Sequence, residues 1–124
     1  MSKTPEILVA EDDPNLGLLL TEFLKKKGYA VSWAQNGDEA LDLFVKGNFD
    51  LCLLDVMMPK KSGFEVCQEI KADPALGGVR ILMLTAKGQG RDREAAERAG
   101  VSAFMAKPFA NAEMRAKVRA LLEG

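Results

Sequence analysis

Four short apolar runs in this chain each end on a polar residue able to do chemistry. ILVA leads into Glu11-Asp12, LCLL into Asp55, ILML into Thr85 and AFMA into Lys107. Short continuous apolar runs read as strands covered on both faces, the kind found in parallel sheets. Stretches with helical spacing of apolar positions lie between them, and such alternation specifies βαβ units. If the runs are parallel strands, all these polar groups emerge at the carboxyl edge of one sheet. Open α/β sheets bind their ligands at that edge, near the topological switch point.

Breaks at Gly28, Gly37, Gly63, Gly77-Gly78 and Gly100 divide the chain. Strands are predicted near 6–10, 30–34, 50–54, 79–84 and 102–106, and helices near 14–27, 37–46, 63–72, 91–99 and 111–122. Ala30-Val31-Ser32-Trp33 contains a polar residue and the last strand, Ala103–Ala106, is short, so these two are the expected edges. The expected fold is α/β, a doubly wound five-stranded parallel sheet of order 2-1-3-4-5. The first helix has a good N-cap in Asp13 and a proline, Pro14, suited to its first position. Leu16, Leu19, Leu20, Phe23 and Leu24 make its apolar face. The 91–99 helix has only Ala95, Ala96 and Ala99 to bury, and weakly anchored elements supply the mobile parts of proteins.

At 124 residues the chain is read as one domain, 1–124, large enough to bury a core without staples. A net charge of −1 gives no reason to expect direct contact with nucleic acid or an anionic membrane. No apolar stretch approaches the roughly 18 residues of a spanning helix. MSKTPE leads straight into the first strand, leaving no room for a signal peptide, so the expected location is cytoplasmic. There is no histidine, which removes catalytic triads and His-ligated zinc. Cys52 and Cys67 lack metal-like spacing and read as buried thiols.

Each site residue has a bland alternative: a capped turn for Glu11-Asp12-Asp13, a loop aspartate for Asp55, a turn former for Thr85, a solvated charge for Lys107. Asp13 is assigned to capping. Glu11 and Asp12 beside Asp55 need a further reason, because unit charges about 4 Å apart repel by roughly 4 kcal/mol at an effective dielectric of 20. A divalent cation offsets that, and Mg²⁺, with its taste for carboxylates, waters and phosphate oxygens, fits better than zinc. Asp55 then has a use as a nucleophilic carboxylate forming an aspartyl phosphate. Lys107 and Thr85 supply a cation and a hydroxyl donor for phosphoryl oxygens.

In combination, ILVAEDD, LCLLDVMMPKKSG, ILMLTA and AFMAKPF resemble a receiver domain of the two-component response regulator family, from about Glu6 to Leu122. The resemblance implies the flavodoxin-like (βα)5 form of the fold. It also implies a phosphorylation-activated switch rather than an enzyme, taking a phosphoryl group from a sensor histidine kinase or phosphotransfer protein. On matching positions Asp55 resembles the phosphoacceptor. Glu11 and Asp12 resemble the acidic Mg²⁺ pair, completed by Asp55 and the Met57 backbone carbonyl. Thr85 and Lys107 resemble the phosphoryl-sensing pair, Lys107-Pro108 the cis peptide, and Phe104 the aromatic switch residue. Output is expected at the face of the 91–99 helix, the last strand and the last helix, toward a partner protein. Val101-Ser102-Ala103 lacks the acidic pair of receivers that dimerise there, so a monomer or weak dimer is expected. With no effector domain after Gly124, the chain is expected to be a stand-alone regulator or a piece of a longer protein.

Three other readings compete. A haloacid-dehalogenase-like aspartyl-phosphate phosphohydrolase needs a second aspartate where Met57 stands. A flavodoxin-like electron carrier needs a hydroxyl- and glycine-rich phosphate loop, and Glu11-Asp12-Asp13 would repel the phosphate. A degenerate receiver would not need the full set of Glu11, Asp12, Asp55, Thr85 and Lys107.

Overall fold

Successive side chains of a strand point to opposite faces, and here that rule splits the core into two layers. The computed structural model of the chain describes residues 4–73, 78–86, 100–107 and 109–123. Strands β1 (Glu6–Ala10), β2 (Ala30–Ala34), β3 (Leu51–Asp55), β4 (Arg80–Ala86) and β5 (Ala103–Lys107) form one parallel sheet. Its order is β2-β1-β3-β4-β5, as expected. Helices α1 (Pro14–Lys26), α2 (Gly37–Lys46), α3 (Gly63–Ala72) and α4 (Asn111–Glu123) are the four among the described residues.

Leu8, Ala10, Cys52, Leu54, Ile81 and Met83 face α2 and α3, which add Phe44, Val66 and Ile70. Ile7, Val9, Leu51, Leu53, Leu82 and Leu84 face the other way, toward Leu20 and Leu24 of α1 and Met114 and Val118 of α4. Both faces of β1, β3 and β4 are thus covered, which is why their sequences show no polar alternation. Each fully buried leucine or isoleucine contributes about 1.5–3 kcal/mol relative to exposure. Cys52 and Cys67 are thiols buried in the first layer, and burial pushes both up.

The structure corrects several details. Asp55, Thr85 and Lys107 lie within the ends of their strands rather than beyond them, because the ladder runs on to pair Asp55 with Leu84 and Ala86 with Lys107. The last strand is not short: β5 matches β1, β2 and β3 at five residues. What marks β5 as an edge is its partial exposure. In α1 Leu19 is 56% exposed and Gly17 is buried in its stead. The helix turns Leu19 away from the sheet and brings Gly17 under Trp33 of β2. Asp13 caps α1 as expected, its Oδ1 accepting from the Asn15 N–H at 2.9 Å. The helix predicted at 91–99 and Pro108, with its peptide to Lys107, lie outside the described residues.

Candidate functional site

The β1–β2 ladder extends one residue past β1, where the Glu11 N–H donates to the Ala34 carbonyl at 3.0 Å. That bond drives the Glu11 side chain inward, and it has no exposed surface. The Asp13 N–H donates to Glu11 Oε2 at 3.2 Å. Asp55 closes β3, its Oδ1 accepting from the Met57 N–H at 3.3 Å. Lys107 closes β5 and reaches across β4. Its Nζ donates to Asp55 Oδ2 at 2.9 Å and lies 2.9 Å from Glu11 Oε1. The second contact is an ion pair without hydrogen-bond alignment, so the buried Glu11 Oε1 has no hydrogen-bond partner.

Carboxylate oxygens of Glu11, Asp12 and Asp55 all lie within 4.8 Å of one another. Three acids facing one ammonium leave the cluster short of positive charge. Burial, followed by contact with the Asp55 carboxyl, pushes Glu11 up to about 7; the Lys107 ammonium opposes this, the Asp55 charge adds to it, and the Asp13 N–H pulls it down least. Burial pulls the Lys107 ammonium down, but its contacts with Asp55 and Glu11 outweigh this and hold it above its usual value. Hard oxygen donors, a charge deficit and an orphaned buried oxygen suit a divalent cation of the Mg²⁺ type. Zinc's preferred nitrogen and sulfur donors are missing, since the chain has no histidine and both cysteines are in the core.

Thr85 is buried on β4, one residue past the partner of Asp55 and opposite Ala106 of β5. It therefore stands between the strands that carry Asp55 and Lys107. α3 begins against the same edge. The Gly63 N–H donates to the Val56 carbonyl at 3.0 Å, and a Cβ on Gly63 would sit 2.4 Å from the Asp55 carbonyl oxygen. Phe104 lies apart from the acids: half-buried on β5, opposite Met83, it packs against the core layer of α2 and α3.

The structure thus gathers Glu11, Asp12, Asp55 and Lys107 at one edge, with the Met57 backbone and Thr85 beside them. Sequence reasoning did not find that Trp33 Nε1 donates to the Glu11 carbonyl at 2.9 Å. The available signal was the register that sets Trp33 opposite Val9, two residues before Glu11.

Comparison with known proteins agrees with this geometry. The family model described as the response regulator receiver domain matches residues 7–119. The transcriptional regulatory protein RprY of Bacteroides fragilis is 39% identical over 122 residues, 98% of this chain and 51% of that protein. ResD of Bacillus subtilis is 41% identical over 124 residues, 98% of this chain and 50% of that protein. The chain spans about half the length of these curated relatives. Among solved structures, a putative response regulator from Chloroflexus aurantiacus is 32% identical with a TM-score of 0.94, covering 98% of this chain and 100% of that one. The response regulator TrrA of Thermotoga maritima, solved in complex with Mg(2+)-BeF, is 39% identical with a TM-score of 0.85, covering 96% and 100%. Matched from its first strand into its last helix, with three acids and a lysine converging on the sheet edge, this chain belongs to the response regulator receiver domain family.

Proposed function

We propose that the domain is a phosphorylation-activated switch in which Asp55 accepts a phosphoryl group from the phosphohistidine of a sensor kinase or phosphotransfer protein. One observation carries this reading: the Lys107 ammonium lies 2.9 Å from both Asp55 and the buried Glu11. A carboxylate held under a fixed cation beside two further acids suits transfer to an oxygen nucleophile better than proton exchange. An Asp55 oxygen forms a bond to phosphorus, the bond from phosphorus to the donor's imidazole nitrogen breaks, and its electron pair returns to that ring. Lys107 then shifts its hydrogen bond to the phosphoryl oxygens, and the Thr85 hydroxyl donates to another. Glu11, Asp12, Asp55 and the Met57 carbonyl would hold Mg²⁺, which when bound neutralises charge on the phosphoryl oxygens. The Mg(2+)-BeF complex of the Thermotoga maritima relative supports that ion.

Loss of the Met57 position as a proton-exchanging carboxyl argues against hydrolysis as the main activity, and Met57 is itself turned to solvent. The proposed output partner is a protein that reads the face of β5 and α4, with Phe104 as the reporting aromatic; the 91–99 stretch expected to join that face lies outside the described residues. With a net charge of −1, contact with nucleic acid does not run through this domain, although relatives bear the names of transcriptional regulators. Among the described residues no helix is long and apolar enough to cross a membrane.

Intact mass after incubation with a small phosphodonor tests the reading. One phosphoryl group is expected on the wild type with Mg²⁺, and none on Asp55→Asn or after chelation. A mass increase that survives either change overturns it.

A further inference from the structure

We infer that Trp33 is a positioning residue that clamps the turn carrying Glu11 and Asp12. This rests on the metal reading above and adds a residue from the neighbouring edge strand to it. The indole has a single donor, and it is spent on the Glu11 carbonyl at 2.9 Å. β2 ends at Ala34 and the chain turns into α2 at its cap Asn36. The indole N–H therefore holds a carbonyl just beyond the end of the β1 strand. The same ring lies on Gly17 in the first turn of α1, so close that a Cβ there would sit 2.2 Å from Trp33 Cε2. Gly17 N–H donates to the Asp13 carbonyl at 2.8 Å, fixing the start of the helix.

One side chain thus touches both ends of the segment 11–17. The peptide joining Glu11 to Asp12 is held by the indole on its carbonyl side. The orientation of that peptide sets where the exposed Asp12 carboxylate points, because the cap at Asp13 fixes the chain just beyond it. Trp33 therefore acts on the acid pair through the backbone and touches no ligand itself.

The test compares wild type, Trp33→Phe and Val31→Ala. Phe keeps a ring near Gly17 and removes the donor. Val31, two residues earlier on β2, packs on the same core layer. In metal-free protein, Trp33→Phe is expected to speed amide exchange at Asp12 and Asp13 while leaving β3 and β4 unchanged. Its Mg²⁺ affinity by calorimetry should fall roughly three- to tenfold, the weight of one net hydrogen bond. Val31→Ala should lower thermal stability with Mg²⁺ affinity intact. Unchanged exchange at residues 12 and 13 in Trp33→Phe overturns the clamp, as does an equal loss of affinity in Val31→Ala. A wild type that binds no Mg²⁺ overturns the proposed function instead, and the exchange arm still decides the clamp.

Discussion

At the scale of single residues, Glu11 sits without exposed surface between the Asp55 carboxyl and the Lys107 ammonium. Burial and Asp55 lift its pKa from 4.5 to about 7. A folded-state pKa raised above the unfolded one means the folded protein holds the proton more tightly. The stability this confers is fully present below about pH 4.5 and is lost as pH rises through 7, on the order of 3 kcal/mol in all. Urea denaturation of metal-free protein should therefore show falling stability between pH 4.5 and 7.5. Asp55→Asn should shrink that fall, since Asp55 raises Glu11 by both contact and charge. Saturating Mg²⁺ should flatten it in the wild type, because a ligand of the folded state alone adds stability. A flat profile without metal would show that Glu11 is ionised throughout.

At the scale of elements, each described helix facing the α2–α3 layer starts on a side-chain cap. Asn36 accepts from the Glu39 N–H at 2.8 Å, and Ser62 and Glu65 form a reciprocal capping box ahead of α3. The caps let α2 and α3 begin close to the strand ends. Gly63 shows how close: its missing Cβ is what lets α3 lie against the Asp55 backbone. Gly63→Ala should cost about 1–3 kcal/mol by overpacking against main chain that has little room to yield. It should also slow phosphorylation by moving the acceptor. Gly17→Ala puts its Cβ against the Trp33 ring, a side chain that can yield where main chain cannot, at the expense of the indole bond to the Glu11 carbonyl, so its loss should be smaller. Denaturant midpoints of both variants, with initial phosphorylation rates, check the order; a larger loss at Gly17 would reverse it.

At the scale of the molecule, a phosphoryl group on Asp55 adds roughly −1.5 to −2 charges and strong acceptor oxygens. It does so beside Thr85 and Lys107, on the strands that lead to the far edge of the sheet. On the proposed switch, Thr85 moves toward the phosphoryl group and Phe104, half-buried on β5, turns inward. Amide exchange with and without a phosphoryl mimic should change along β4, β5, α4 and the 91–99 stretch, whose sequence has only alanines to bury. Light scattering should give a monomer, or a dimer that does not use α4, in both states, because Ser102 and Ala103 offer no carboxylate to Arg115 or Lys117. Changes confined to α1 and α2, or a tight dimer through α4, would overturn this output model.

The sequence by itself determined the sheet, its order and its edge site, because unbroken apolar runs force strands to be buried on both faces and their last residues to share one edge. It also determined the start of α1, since Asp13 and Pro14 act locally and need no tertiary partner. It did not determine which leucines of α1 face inward. Leu19 obeys the helical period as well as Gly17 does, and only the bulk of Trp33 on β2 selected the glycine for the close approach. Nor did it determine the state of Glu11. A carboxyl's pKa depends on burial and on neighbours brought from residues 55 and 107, and those distances exist only once the sheet has closed over them.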